Sequence, residues 1–376
     1  MRNYTVEDKP EWNEADNSEA RISECRKGID EIDEKLVYLI NERLKLALEI
    51  GSAKAKKGAQ ILDSAREYRV LERVAGLNRG PISKNALHQV YKQIMAASRE
   101  IQKAHRVAYL GPESTFTHIA AMNYFGRTVT FVSQQSIRDV FNEVEKGSCH
   151  YGVVPVENTI EGSMNDTLDL LFESNLKICG EKYQTISYDL LAKGGTLKDI
   201  RIVYSHPHAF AQCRKWVEKY LPDTEFKECS SAAQAAQKVS EESEAAAIAS
   251  SEAAAMYQLA VLASRIEDIA RNTTRFLIIG ADDVRSTGND KTSLMFVTSH
   301  VPGALYKVLK PMADIGVNMV KLESRPTRHK NWSYFFFADI EGHIENVQVK
   351  EAVEKMRDTC LYLKLLGSYP GLKIED

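Results

Sequence analysis

Two basic residues stand where a helix ought to be apolar. Between Arg21 and Gly58, the residues Ile29, Ile32, Leu36, Ile40, Ala47 and Ile50 recur at helical spacing and define one stripe. With Arg43 at zero on a wheel of 100° per residue, Ile32 and Ile50 fall at about −20°, and Leu36 and Lys54 at about +20°. Arg43 and Lys54 therefore occupy the middle of the stripe, about three turns apart. One account is that both snorkel past its edge. The other is an anionic ligand held between helices, because buried cations need a countercharge and bundle interiors form such sites. Arg26 lies roughly 100° and about 25 Å from Arg43 on the same helix. It is either a surface arginine or one that reaches a pocket in a second copy of the chain, which suits a short helical unit with little core of its own.

Further along, polar residues cluster at the ends of apolar runs. YGVVPVENTIEG ends in Glu157-Asn158-Thr159, IVYSHPHAFAQC ends in Ser205-His206-Pro207 with Gln212 one turn on, and Thr273-Thr274-Arg275 precede FLIIG. Polar strand ends of an α/β sheet are where ligands bind. Taken singly, Asn158 and Ser205 also suit helix caps, and Arg275 also suits a carboxylate partner. HVPGALYKVL places Gly303 at a strand-to-helix turn, and KLESRP closes a strand at Glu323-Ser324-Arg325-Pro326, both of which ordinary turn chemistry would explain. Walker A, GxGxxG, CxxC and HExxH patterns are absent, and a metal pair at His206 and His208 is improbable. The expected chemistry uses side chains alone, with no cofactor and no metal.

The elements that must carry these residues fall into three compositional segments. Residues 21–104 read as helices, broken at Asn78-Arg79-Gly80-Pro81, with a middle helix over 62–76 and a last one from Ala86 to about Gln102. Residues 105–281 alternate strand runs such as RVAYLG, TVTFV, AAAIAS and FLIIG with Ala-rich helices, as an α/β domain does. After a linker at 282–290, residues 291–376 read βαββαβ, the ferredoxin-like order. At 376 residues the chain has room for two or three domains.

Composition narrows the partners. Lys+Arg 49 against Asp+Glu 52 gives a net charge of −3, so no basic field points to nucleic acid or an anionic membrane. No apolar run approaches the ~20 residues of a spanning helix. Residues 1–20 carry six acids and two bases and read as a disordered, solvated leader of a cytoplasmic protein rather than a signal or transit peptide. The six cysteines, at 25, 149, 179, 213, 229 and 360, read as mostly buried, reduced thiols.

Each segment also resembles a known family. RKGIDEIDEKLVYLINERLKLALEIGSAKAKKG, ILDSAREYRVLERV and IMAASREIQ resemble the all-helical chorismate mutases. That resemblance implies that Arg26 of a partner subunit, Arg43, Lys54 and Arg66 hold the carboxylates and ether oxygen of chorismate, with Asp63, Glu67, Ser98 and Gln102 completing the site. The ENT, SHP and TRF runs resemble the prephenate dehydratases, whose fold is two α/β lobes around a cleft like that of periplasmic binding proteins. This implies catalysis tied to Thr274, with Arg275, Glu157, Asn158, Ser205 and Gln212 lining the cleft; Ser114 stands where that family commonly has a glycine. Gly303-Ala304-Leu305 and Glu323-Ser324-Arg325-Pro326 resemble the ACT regulatory domain, which implies a phenylalanine site at a subunit interface, with Tyr306 in place of the usual valine.

Together the modules imply a bifunctional chorismate mutase and prephenate dehydratase, a homodimer or higher homo-oligomer restrained by phenylalanine. A mutase coupled to prephenate dehydrogenase would need a nicotinamide loop that the sequence lacks. A non-catalytic amino-acid sensor would not need Glu157, Asn158, Ser205, Thr274 and Arg275 together.

Overall fold

A computed structural model describes residues 14–56, 64–102, 105–126, 129–160, 162–326 and 334–371. The chain divides into two compact units, residues 1–61 and 62–376. The first contributes one helix, α1 (Glu14–Lys56), of 43 residues and so about 65 Å long. It begins seven residues inside the stretch expected to be a leader, since the acidic run continues the helix rather than interrupting it. The stripe expected from the sequence is on this helix, with Ile29, Ile32, Leu36 and Ile50 exposed and Ile40 and Ala47 half-buried. An apolar face of that length marks a binding surface.

The second unit opens with α2 (Ser64–Leu77) and α3 (Lys84–Gln102). Asn78 makes the break between them: its Oδ1 accepts from the Gly80 N–H at 2.9 Å and its Nδ2 donates to the Ile82 carbonyl at 2.8 Å.

Two α/β lobes follow. The first comprises β1 (Arg106–Leu110), α4 (Phe116–Phe125), β2 (Thr130–Gln134), α5 (Ile137–Glu145), β3 (Tyr151–Asn158), the two-residue β4 (Gly162–Ser163), α6 (Asn165–Glu173) and β5 (Lys177–Thr185). The second holds β6 (Asp189–Ala192), β7 (Ile202–Ser205), α7 (Pro207–Gln212), α8 (Arg214–Tyr220), β8 (Glu225–Glu228), α9 (Ala232–Val239), β9 (Ala245–Ala249), α10 (Ser251–Tyr257) and β10 (Ala260–Ala263). The chain then crosses back, and β11 (Thr273–Gly280) inserts into the first sheet, whose order is β2-β1-β3-β11-β5 against β10-β6-β9-β7-β8 for the second. Two crossings, at 186–188 and 264–272, join the lobes. The strands β1, β2 and β3 are parallel as expected, while β11 runs antiparallel to both its neighbours.

The last segment is β12 (Asp290–Val297), α11 (Ala304–Ile315), β13 (Met319–Pro326), β14 (Tyr334–Glu341), α12 (Val347–Thr359) and β15 (Tyr362–Pro370), in the sheet order β13-β14-β12-β15. Helices α11 and α12 cover one face through Leu294, Phe296, Val308, Ala338, Ile340 and Met356. The other face is packed on the first lobe: Met295, Phe335, Phe337, Leu366 and Tyr369 share one core with Leu168, Leu171 and Ile178. Lys364 of β15 adds an ammonium that donates to the carbonyls of Leu171 and Phe172 at the end of α6, where a cation suits the unsatisfied carbonyls.

Gly367 of β15 lies against the backbone of β5. Its φ is +150°, and a Cβ there would overlap the carbonyl oxygen of Ile178 in β5. Gly367→Ala is therefore expected to cost about 1–3 kcal/mol by forcing β15 off β5, read as a lowered thermal midpoint; an unchanged midpoint would show that the contact yields freely. Among the described residues no helix is long and apolar enough to cross a membrane.

Candidate active site

Where β3 ends beside the start of β11, Asn158 faces Thr274 across the ladder. The Asn158 Nδ2 donates to Thr274 Oγ1 at 2.8 Å and to Asn272 Oδ1 at 2.7 Å, while its Oδ1 accepts from the Ile160 N–H at 2.8 Å. Asn272 in turn donates from Nδ2 to Gln212 Oε1 at 2.7 Å. A continuous polar chain thus runs Thr274–Asn158–Asn272–Gln212, from the first lobe through the return crossing to α7 of the second. Asn158, Asn272 and Thr274 are all buried. Because Thr274 Oγ1 accepts from Asn158, its own O–H remains to donate to a further acceptor. Asn272 was not among the expected residues; its signal was only that it directly precedes the Thr-Thr-Arg run.

Strand alternation separates the remaining motif residues. Glu157 pairs with Arg275 in the next rung of the ladder, so both side chains leave the sheet on the face opposite Asn158 and Thr274. For Arg275, buried in the cluster described next, the expectation that it lines the cleft is corrected; the Glu157 side chain remains 40% exposed. The Arg275 guanidinium is buried, donating to Glu181 at 2.8 Å, to Asp339 of β14 and to the Tyr369 hydroxyl of β15 at 3.0 Å. Lys291 of β12 donates to the other side of Glu181 at 2.8 Å, and Ser293 donates to Asp339. Burial opposes the Arg275 charge, but Tyr369, Asp339 and Glu181 outweigh it and fix it in the protonated form. Burial, then Asp339, push the Tyr369 hydroxyl up, so it stays neutral. Glu157 meets Lys321 of β13 at 2.8 Å. A register shift in β11 directly after Arg275 lets these two rungs adopt their own spacing.

Ser205 ends β7 fully buried, its hydroxyl on the His206 carbonyl at 3.1 Å. His206 caps α7, its Nδ1 accepting from the His208 N–H at 3.3 Å. Ser114 has φ +65°, the left-handed region where a glycine is unstrained, and it holds that geometry by donating its N–H to His118 Nδ1 at 3.1 Å.

In the helical segment, Arg26 is exposed and Arg43 half-buried on α1. On α2 and α3, Arg66 is exposed, Glu67 is ion-paired with the buried Arg99, and Ser98 is buried with its hydroxyl on the Ile94 carbonyl at 2.8 Å. The side chains of Lys54 and Gln102, and all of Asp63, lie outside the described residues. Arg99 also donates to the Phe125 carbonyl at 2.7 Å, tying α3 to α4. Beside it, Glu67, Tyr68, Lys92, Tyr124 and Lys182 line a cavity of 260 Å³. Burial, then Lys92, push the Lys182 ammonium down.

Comparison with known proteins follows the same three segments. Models of the families "Chorismate mutase type II", "Prephenate dehydratase" and "ACT domain" match residues 25–103, 107–284 and 292–358. A bifunctional chorismate mutase/prephenate dehydratase of Aquifex aeolicus is 44% identical over 359 residues, covering 94% of this chain and 99% of that relative. The chain belongs to the bifunctional chorismate mutase/prephenate dehydratase family. Among solved structures, a prephenate dehydratase of Arthrobacter aurescens in complex with L-Phe matches 71% of this chain and 90% of that one, with 33% identity and TM-score 0.65. A quorum-quenching acylase, GqqA, matches 71% and 98% with 30% identity and TM-score 0.65.

The ACT domain of this bifunctional chain places its motif residues on two elements. Gly303 takes φ +78° as the N-cap of α11, with Ala304 and Leu305 in the first turn and Tyr306 exposed. On β13, Glu323 and Arg325 share the face of Phe337 and Phe335, toward the dehydratase lobe, whereas Ser324 lies opposite with Pro326 at the strand end. Arg325 is already engaged there, donating to both carboxylate oxygens of Asp169 on α6 at 3.0 Å.

Proposed function

We propose that the helical segment converts chorismate to prephenate, that the cleft between the lobes converts prephenate to phenylpyruvate, and that phenylalanine restrains the second reaction through the ACT domain. The observation that carries the cleft assignment is the buried chain Thr274–Asn158–Asn272–Gln212, which spans both lobes and leaves the Thr274 O–H as its terminal donor. In the dehydration the electron pair of the ring-to-carboxylate bond moves into the ring, carbon dioxide departs, and the ring C–O bond breaks with its pair on oxygen, which takes one proton from solvent and leaves as water. Aromatisation drives this, so the protein's task is to stabilise the departing oxygen. A preoriented donor does so without reorganisation. Asn158 holds Thr274 in that orientation, and Gln212 and Asn272 hold Asn158.

The mutase reaction is an intramolecular rearrangement needing no nucleophile or base. Its demands are a compact substrate conformation and positive charge at the breaking ether bond. Arg26, Arg43, Lys54 and Arg66 supply that charge, with Asp63, Glu67, Ser98 and Gln102 orienting the hydroxyl side. The exposed stripe of α1 is the support for a dimer in which Arg26 serves the partner's site. An amide hydrolase would need an activated nucleophile, and Ser205, committed to a backbone carbonyl and fully buried, does not offer one. Six free cysteines fit a cytoplasmic enzyme.

The test supplies purified protein with chorismate or with prephenate and follows phenylpyruvate by its absorbance in alkali, with and without phenylalanine. Arg43→Ala is expected to lower the mutase kcat/KM by about 10²-fold or more while prephenate is still consumed at the wild-type rate. Loss of both activities in a folded Arg43→Ala protein would sink the two-site reading, and no phenylpyruvate from either substrate would leave an amino-acid sensor in its place.

A further inference from the structure

The two residues that strand alternation sends to the face opposite Asn158 and Thr274 are those that touch the ACT sheet. Each directly neighbours a cleft residue in sequence: Glu157 precedes Asn158, and Arg275 follows Thr274. From these contacts we infer that the ion pair of Lys321 with Glu157 is the regulatory link through which a displacement of β13 reaches the strand that carries Asn158. The inference rests on the functional reading above and adds the connection that reading lacks.

Lys321 is the right kind of group for the task. Its side chain is only 10% exposed, with Nζ 2.8 Å from Glu157 and 3.3 Å from the hydroxyl of Ser163, the residue paired with Glu157 across the β3–β4 ladder. One ammonium thus pins both strands of the turn that carries Asn158. On β13, Lys321, Glu323 and Arg325 occupy alternate positions on one face. Lys321 is fastened to β3 and Arg325 to α6, so the segment Glu323-Ser324 is bracketed by two anchors on the dehydratase lobe. An effector that shifts β13 at Glu323 or Ser324 has to pull on both anchors, and one of them is bonded next to Asn158. β13 is also an edge strand, held by β14 alone within its sheet.

The decisive comparison is the response of Lys321→Met to phenylalanine. Without phenylalanine the variant should turn over prephenate within about threefold of wild type, and calorimetry should find phenylalanine binding within about threefold. The concentration for half-inhibition of the dehydratase should rise at least tenfold, the size of a typical coupling between sites. Lys321→Glu should behave likewise, and the charge swap Lys321→Glu with Glu157→Lys should restore inhibition, which a merely structural lysine would not allow. Lys321→Gln serves if the Met variant is unstable, with mutase activity reporting that the chain is folded.

Inhibition of Lys321→Met at the wild-type phenylalanine concentration would overturn the proposal alone. So would loss of phenylalanine binding itself, because Lys321 would then belong to the effector site. A wild-type enzyme indifferent to phenylalanine would overturn the regulatory reading, and this link with it.

Discussion

Thr274→Val should lower the dehydratase kcat by about 10²–10³-fold, the usual loss when one preoriented donor is removed from a developing anion. Mutase activity should be untouched. The substitution keeps the shape of the side chain and takes away the hydroxyl. Asn158 loses one of its two acceptors but keeps Asn272, so the cost to stability is about 1 kcal/mol and the protein remains folded. KM should change little, because the leaving hydroxyl gains charge only in the transition state, and a donor felt only there acts on kcat. Thr274→Ser, which restores the donor, should recover most of the rate. Steady-state turnover of prephenate to phenylpyruvate checks all three statements, and a Val variant within threefold of wild type would remove Thr274 from the mechanism.

The helical stripe, the strand runs of the two lobes and the βαββαβ order were legible because periodicity records which face is buried. Four strands escaped: the two-residue β4, and β5, β6 and β10. In β5, KICGEKYQT interrupts its apolar run with Glu181 and Lys182, and the burial of Glu181 makes sense only with Arg275 and Lys291 beside it, which lie 94 and 110 residues away. The same non-local chemistry misplaced Arg275. Treating ENT and TTR as loop clusters put neighbouring residues into one site. Once β3 is seen to run through Asn158 and β11 to begin at Thr273, a period of two sends alternate residues to opposite faces. The sequence also reads as three modules joined by linkers, yet the ACT sheet shares its core with the first lobe. Nothing in local composition separates a face that meets solvent through α11 and α12 from one that meets another domain. The stripe of α1 is the converse case: its apolar residues are plain in the sequence, and local composition does not say what they pack against.

That shared core makes Arg275 the position where the largest loss of stability is expected. Arg275→Met should destabilise the protein by about 3–5 kcal/mol, because removing one member of a buried ion cluster strands the others. The wild-type cluster balances two cations, Arg275 and Lys291, against two carboxylates, Glu181 and Asp339. After the substitution Lys291 still neutralises Glu181, whereas Asp339, fully buried, keeps only the Ser293 hydroxyl. An uncompensated carboxylate in that place binds a proton more tightly folded than unfolded. Its folded pKa is therefore raised, so the penalty is full at neutral pH and shrinks as the pH falls through that raised value. The melting temperature should drop on the order of 5–10 °C at pH 7.5, and the gap to wild type should narrow at pH 5.5. Arg275→Met with Asp339→Asn should recover part of the loss at neutral pH, since no charge is then left behind. A gap that stayed constant with pH would mean that the loss comes from packing around Tyr369 and not from the stranded carboxylate.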